Sequence, residues 1–223
     1  MFKGTLTSPQ KRLHAWYDSL FHDHAIFRLT WTNLTPVVAG KIWRCNHPTP
    51  ARLRHLHKKL HLESVINLRG HRQCGSDALA RHTCQSLNLP YIDMAFESRN
   101  APHKDRILRF YDIYQKLNGP TLLHCKSGAD RTGLASGLII LFEGGCTQEA
   151  LKQLHWRFLH FKGSRTGVLD AFFLLYQQEA EGKIPFIDWV RSHYDEDGLR
   201  TAFRKDRATT LLSSLSTNVG KFG

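Results

Sequence analysis

A chain of 223 residues is long enough for one compact domain with a sizeable core and too short for two domains with independent cores. Hydrophobic residues at 41% and charged residues at 22% sit near the averages for folded globular proteins, which excludes disorder or a fibrous repeat as the main organisation. The 31 Lys and Arg against 19 Asp and Glu give a formal net charge of +12, which points to an anionic substrate or surface. The excess is uneven: before position 73 the only acidic residues are Asp18, Asp23 and Glu63. No zinc-finger spacing or RNA-binding signature accompanies the charge, so nucleic acid is not favoured as a partner. Cys45, Cys74, Cys84, Cys125 and Cys146 form neither a CxxC pair nor an even framework, and nothing near Met1 reads as a signal peptide. A reducing, cytoplasmic setting is expected. The longest strongly apolar stretch, 134–142, is far short of the roughly 20 residues a helix needs to span a bilayer.

Along the chain, residues 1–38 mix Trp16, Tyr17, Phe21, Phe27 and Trp31 with basic residues and lack a sustained period; they read as a packed N-terminal extension, with peripheral membrane-surface contact as the sharper alternative. Residues 41–45 are a short strand candidate, and Thr49-Pro50 can serve as N-cap and first residue of a helix whose Leu53, Leu56 and Leu60 share a face. The runs 65–68 and 90–96 predict strands, with a helix over 77–89 between them. Ile107, Phe110, Tyr111 and Tyr114 recur at helical spacing before Gly119-Pro120, after which 121–124 predicts a strand. Beyond the loop 126–131 a helix is expected to run to Phe142 and stop at Gly144-Gly145. Thr147 can cap another helix, Leu169, Phe172, Phe173 and Tyr176 mark the next, and 187–193 reads as the last. The alternation predicts an α/β domain over 39–203, with a central, mostly parallel sheet flanked by helices and a helical C-terminal half. The Ser/Thr/Gly-rich tail 204–223 has little to bury and is expected to be poorly ordered.

The chemistry concentrates in His124-Cys125-Lys126-Ser127-Gly128-Ala129-Asp130-Arg131-Thr132-Gly133, between a predicted strand and a predicted helix. A short loop there turns consecutive backbone N–H groups inward, and the following helix adds the positive end of its dipole, so residues 126–131 form an anion cradle. The same N–H groups and Arg131 favour the thiolate of a cysteine at the base, which makes Cys125 a candidate nucleophile. Arg131 can offer two parallel hydrogen bonds to the oxygens of a phosphoryl group. Gly128 suits a tight turn or close approach to the ligand, and Gly133 suits close packing of helix on sheet.

This segment resembles the signature loop of the protein tyrosine and dual-specificity phosphatase superfamily: His-Cys, five residues, Arg, then Ser or Thr. The resemblance, closest to compact bacterial dual-specificity-like enzymes, runs from about Lys41 to Tyr194 and takes in Ile66-Asn67-Leu68-Arg69-Gly70 and Phe186-Ile187-Asp188-Trp189-Val190. It implies that Cys125 attacks phosphorus, Arg131 clamps the phosphate, His124 supports the loop and the thiolate, and the Thr132 hydroxyl assists hydrolysis of the cysteinyl phosphate. Lys126, Ser127, Gly128, Ala129 and Asp130 complete the phosphate-binding loop. No cofactor and no metal are implied, and the substrate is a phosphorylated anion, either a phosphoprotein or a small phosphate ester. The chain has neither a Trp-Pro-Asp triplet nor the phosphotyrosine-recognition loop of the larger tyrosine-specific enzymes.

The general acid is left open among three carboxylates. Asp93 lies upstream of the nucleophile, where relatives carry their acid, but within a predicted strand. Asp130 lies in the cradle, and some phosphoinositide-acting and bacterial relatives with an Asp before the Arg are thought to use it. The two stand level, with Glu97, at the start of the loop 97–102, behind them. Lys126 and Arg99 could favour multiply phosphorylated substrates such as inositol phosphates or phospholipid headgroups. His57 and His61, or His22 and His24, invite a metal reading that no neighbouring carboxylate or thiol completes in sequence. Cys74 and Cys84 could resolve an oxidised Cys125, though packing roles suit them as well. The rival functions are a phosphate-binding pseudophosphatase and rhodanese-like sulfur transfer; the Arg131-Thr132-Gly133 ending and the loop length favour the phosphatase.

Overall fold

The computed structural model describes residues 2–219, and side chains through residue 207. The chain opens with α1 (Pro9–Tyr17), capped by the Ser8 hydroxyl, which accepts from the Lys11 N–H. A π-turn (Asp18–His22) and a 3-10 turn (Ala25–Arg28) lead to β1 (Thr35–Val38) and β2 (Ile42–Cys45). Then follow α2 (Pro50–Leu60), β3 (Ser64–Asn67), α3 (Gly75–Ser86), β4 (Tyr91–Asp93), α4 (Lys104–Gln115) and β5 (Thr121–His124). The C-terminal half is helical: α5 (Asp130–Phe142), α6 (Thr147–Leu151), α7 (Val168–Glu179), α8 (Phe186–Ser192) and α9 (Glu196–Val219).

The five strands lie in the order β1-β2-β5-β3-β4, parallel except for the antiparallel edge strand β1. The expected α/β sheet covered on both faces is present. Period-two alternation distributes its side chains: Val65 and Leu122 pack with Leu53, Leu56 and Cys84 toward α2 and α3, while Ile66 and Leu123 face a larger core built from α4, α5, α7 and α8. Beyond its polar first turn, helix α5 is largely apolar and buried in that larger core, as a helix enclosed on every side must be. Cys45 and Asn67 both pair with His124, so β2, β3 and β5 end level, at the carboxyl edge where open α/β sheets bind ligands.

Two sequence expectations, the cap at Thr147 and 187–193 as the last helix, need correction, and the structure adds detail at both ends of the chain. The segment 1–38 supplies a strand, β1, whose Pro36 is tolerated because it sits on an edge. It also supplies α1, which packs so closely on α3 that a Cβ on Gly75 would stand 2.0 Å from the Ala15 carbonyl oxygen. The N-cap of α6 is Cys146, so Thr147 is the first helical residue instead of the cap. Helix α8 is followed by α9, whose Glu196 carboxylate accepts from the Lys104 N–H at 2.9 Å and from His103 Nδ1 at 2.8 Å, docking it on the start of α4. That helix is assigned through Val219, within the expected tail 204–223; residues 220–223 lie outside the described residues.

Candidate active site

The loop between β5 and α5 is shaped from outside, by donors that take its carbonyl groups. The Lys126 oxygen accepts from the His47 N–H at 3.1 Å and from Arg28 Nη1 at 3.5 Å, the Ser127 oxygen from Asn33 Nδ2 at 2.8 Å, and the Gly128 oxygen from Arg44 Nη2 at 2.6 Å. The Ala129 oxygen accepts the Gly133 N–H, the first bond of α5, at 2.7 Å. In a trans peptide the N–H points opposite to the C=O, so tying four successive carbonyls outward turns the N–H groups of Ser127, Gly128, Ala129 and Asp130 to the other side. Gly128 is needed here twice over: its φ is +76°, and a Cβ would stand 2.8 Å from the Asn46 nitrogen. Gly133 allows a different contact from the one expected, since its Cβ would meet Leu154 Cδ2 at 2.6 Å and the Gln153 oxygen at 2.7 Å; it makes room for the chain after α6, not for the sheet.

Arg44 is the keystone of this arrangement. It is fully buried, donates from Nη1 to the Gln153 oxygen at 2.8 Å, and stacks its guanidinium 3.7 Å from the centre of the Phe158 ring. Burial pulls its pKa down to about 9, against the opposing pull of Cys125. His124, also buried, is held neutral: burial lowers its pKa to about 3. Its Nδ1 can donate to the Cys125 oxygen at 3.3 Å, which leaves Nε2 to accept from the Tyr91 hydroxyl at 3.0 Å.

Cys125, almost wholly buried, opens onto a cavity of about 640 Å³ that Lys126, Ser127, Asp130 and Arg131 also line. Arg131 reaches Ser98 Oγ with Nη2 at a long 3.5 Å, while its buried Nε has no hydrogen-bond partner. Burial lowers its pKa, and the Cys125 sulfur works in the opposite sense. The buried Thr132 hydroxyl likewise has no partner. An unpaired buried guanidinium N–H on an arginine that shares a cavity with a thiol is suited to an anion.

The three candidate carboxylates part company. Asp93 is gripped by Arg81 at 2.6 and 2.8 Å and accepts from Asn67 Nδ2 at 3.0 Å; it is not part of the cavity wall. Glu97 is paired with Arg106 and lies 3.5 Å from His103, also off the cavity wall. Asp130 does line the cavity, with Oδ1 2.8 Å from His160 Nδ1. The cavity wall therefore gathers Cys125, Lys126, Ser127, Asp130 and Arg131, and leaves Asp93 outside.

The N-terminal segment builds the facing wall. Asp23 accepts both Arg69 Nη atoms, at 2.9 and 2.8 Å, and Arg28 Nη2 at 3.0 Å, and it stands 3.5 Å from Lys126 Nζ. Burial pushes its pKa up, but the Arg69 hydrogen bonds and the charges of Arg69 and Arg28 outweigh that and hold the carboxyl well below the usual carboxylate range. Seven Lys or Arg side chains and three aspartates line the cavity, so it is net positive. Among the described residues no group of three or more His, Cys, Asp or Glu is placed to hold a metal ion, and His57 instead bonds the Leu62 carbonyl at 3.0 Å. Cys84 is buried between α2 and α3, where burial pushes its thiol up to about 12, while Cys74 lines the cavity. Sequence reasoning missed Asn33, Arg44, His160 and Asp170. Only Arg44 left a signal, as a charged residue inside the apolar strand Ile42–Cys45.

The family model described as the tyrosine phosphatase family matches residues 29–152, more than half of the chain. None of the curated proteins searched matches significantly. Among solved structures, TpbA of P. aeruginosa is similar at 22% identity and a TM-score of 0.52, covering 77% of this chain and 90% of its own. The Siw14 catalytic core, from S. cerevisiae, aligns at 18% identity and a TM-score of 0.53, covering 68% and 88%. A putative phosphatase of Shewanella putrefaciens aligns at 17% identity and 0.53, covering 70% and 95%. At these identities the structural likeness establishes the fold. With the family match over the strands and loop that build the cradle, the chain belongs to the tyrosine phosphatase family and is a cysteine-based, metal-independent phosphatase of phosphate monoesters.

Proposed function

We propose that Cys125 is the nucleophile and Asp130 the acid of this phosphatase. In the first step Cys125 Sγ bonds to phosphorus as the ester P–O bond breaks, and Asp130 delivers the proton that the departing oxygen needs. The N–H groups of 127–130 and the Arg131 fork hold the three phosphoryl oxygens through the transition state. Water then attacks phosphorus, the S–P bond breaks, and the Thr132 hydroxyl, close to the loop in sequence and unpartnered, assists the sulfur as it leaves. The observation that carries this reading is the set of four outward-tied carbonyls, which aims four N–H groups at one anion beside a nucleophile and an arginine with a free Nε. Asp130 is preferred because it alone of the three candidate carboxylates borders the cavity.

The substrate is a phosphorylated anion, and the net positive cavity suits one that carries further negative charge. A second reading, that the substrate is presented on an anionic lipid surface, is favoured by large exposed apolar side chains beside the site: Phe27, on the cavity wall, and Trp156 and Phe161, in the segment that Asn33 ties to the loop. No described helix is long and apolar enough to cross a membrane, so such contact would be peripheral. The five free cysteines support a reducing, cytoplasmic setting. The test is phosphate release in EDTA from p-nitrophenyl phosphate, phosphopeptides, inositol phosphates and anionic phospholipid vesicles, by wild type and Cys125→Ser. Turnover by wild type alone is expected, and its ranking across the panel assigns the substrate class. Binding without release from any of these compounds would make the protein a phosphate-binding module.

A further inference from the structure

Behind Asp130 lies a buried chain of three titratable groups. His160 Nδ1 is 2.8 Å from Asp130 Oδ1 and its Nε2 is 2.7 Å from Asp170 Oδ2, with the imidazole 1% and the Asp170 side chain 5% exposed. The ring is held by its surroundings. Phe158, two residues before it, is clamped under Arg44, and Asn33 bridges the Phe158 and Ser127 carbonyls. Asp170 is fixed in the first turn of α7, where the helix dipole favours a carboxylate.

Each of these two short contacts requires one proton between its heavy atoms. A neutral imidazole between two carboxylates would set a bare nitrogen against a bare oxygen, so the geometry stores two protons across the trio. One of them lies on the line between His160 Nδ1 and Asp130 Oδ1, one residue from Arg131 and at the cavity wall. Backed by this store, Asp130 has a proton within one hydrogen bond of its carboxylate at the cavity wall.

We propose that His160, fixed by Asp170, is a positioning and proton-storing residue that acts through Asp130. As the ester P–O bond breaks, the leaving oxygen takes a proton from Asp130, which takes the Nδ1 proton of His160 and leaves the imidazole neutral. When water attacks the cysteinyl phosphate, the released proton returns through Asp130 to Nδ1 while the S–P bond breaks, so the cycle closes without another reactant. The proposal rests on the reading of Asp130 as the acid.

The groups facing His160 are Asp130 from α5 and Asp170 from α7. Burial pulls the histidine pKa down, but the hydrogen bonds and charges of these two carboxylates outweigh it and raise the value to about 9. The store is therefore full at neutral pH and empties as pH rises through that value.

The test is the single-turnover rate of cysteine phosphorylation with two esters, p-nitrophenyl phosphate, whose leaving group needs little protonation, and an alkyl phosphate, whose leaving group needs it fully. His160→Gln is expected to lose about 10²-fold on the alkyl ester and far less on the nitrophenyl ester, in keeping with the usual scale of general-acid catalysis. Asp170→Asn, which keeps the ring, is expected to move the alkaline limb of the alkyl-ester profile from about 9 toward the ordinary histidine value of about 6.5. Equal losses on both esters in His160→Gln, or an unmoved limb in Asp170→Asn, would show that His160 only braces the loop and would overturn the proposal. Asp130→Asn separates the two levels: if it shows no preferential loss on the alkyl ester, the reading of Asp130 fails and the relay falls with it. If Asp130→Asn shows that loss and both other variants do not, the acid stands and only the relay is wrong.

Discussion

Asp93, Glu97 and Asp130 carry the same functional group, and the partner each one holds decides what it can do. Asp93 spends both oxygens on Arg81 at 2.6 and 2.8 Å, which leaves neither free to face a leaving group. Glu97 is engaged by Arg106 through one oxygen, Oε1. Neither borders the cavity, so Asp93→Asn and Glu97→Gln are expected to change kcat on an alkyl phosphate by less than about threefold, whereas Asp130→Asn should cost between about 10² and 10⁴. A loss of about 10² or more in Asp93→Asn would return the acid to β4. Sequence could not make this choice, because it shows where a carboxylate lies along the chain but not which arginine lies across from it. The cradle was legible for the opposite reason. Its residues are contiguous, and a strand, a five-residue turn and a helix leave few ways to arrange them. Arg131 and Thr132 follow Cys125 on the same short path, so the chain itself sets their spacing. His160 and Asp170 are 30 and 40 positions beyond Asp130 and reach it only by folding, so no local pattern marks them.

At the scale of elements, the strands were readable because they are buried on both faces, and the runs Ser64–Asn67 and Thr121–His124 each carry two apolar residues at their centre, between the small polar pair Ser64 and Thr121 at one end and Asn67 and His124 at the other. β1 escaped because an edge strand that carries a proline lacks that signature. The cradle, too, depends on elements outside itself: Arg44 in β2 supplies the donor for the Gly128 carbonyl, and Asn33 before β1 supplies the donor for Ser127. Arg44→Leu would leave the Gly128 and Gln153 carbonyls without their buried donor, at a cost of about 1–3 kcal/mol each. The expected result is a clear fall in Tm and a loss of activity far exceeding the loss of folded protein, since the peptide that aims the Ala129 N–H would be free to rotate. Arg44→Lys should recover part of the stability and little of the activity, because one ammonium cannot reach both carbonyls in the geometry of a planar fork. Full activity in Arg44→Leu, with the protein folded, would show that the loop holds its shape unaided.

For the whole molecule, the basic first third and the phosphatase core are joined at one carboxylate. Asp23 gathers Arg28 from its own segment, Arg69 from the turn after β3 and Lys126 from the cradle, so the N-terminal wall is locked to the site by charge. Nearby, Asp18 ties the chain start to α3, accepting the Phe2 and Gly75 N–H groups at 2.8 and 2.6 Å. In a chain of net charge +12, losing the Asp23 carboxylate would leave the buried Arg28 and the largely buried Arg69 without their shared counter-charge. The pH dependence follows from the direction of the shift: the folded pKa of Asp23 lies below the unfolded one of about 3.9, so its stabilisation is complete above that value and is lost as pH falls through the lower folded value. Asp23→Asn is expected to melt well below wild type at pH 7, with the gap constant down to about pH 4 and narrowing only under stronger acid, where the wild-type carboxyl is also neutral. A gap that closes already at pH 6, or no gap at all, would mean that the arginines find another counter-charge and that the N-terminal wall is held by its apolar contacts with α3 alone.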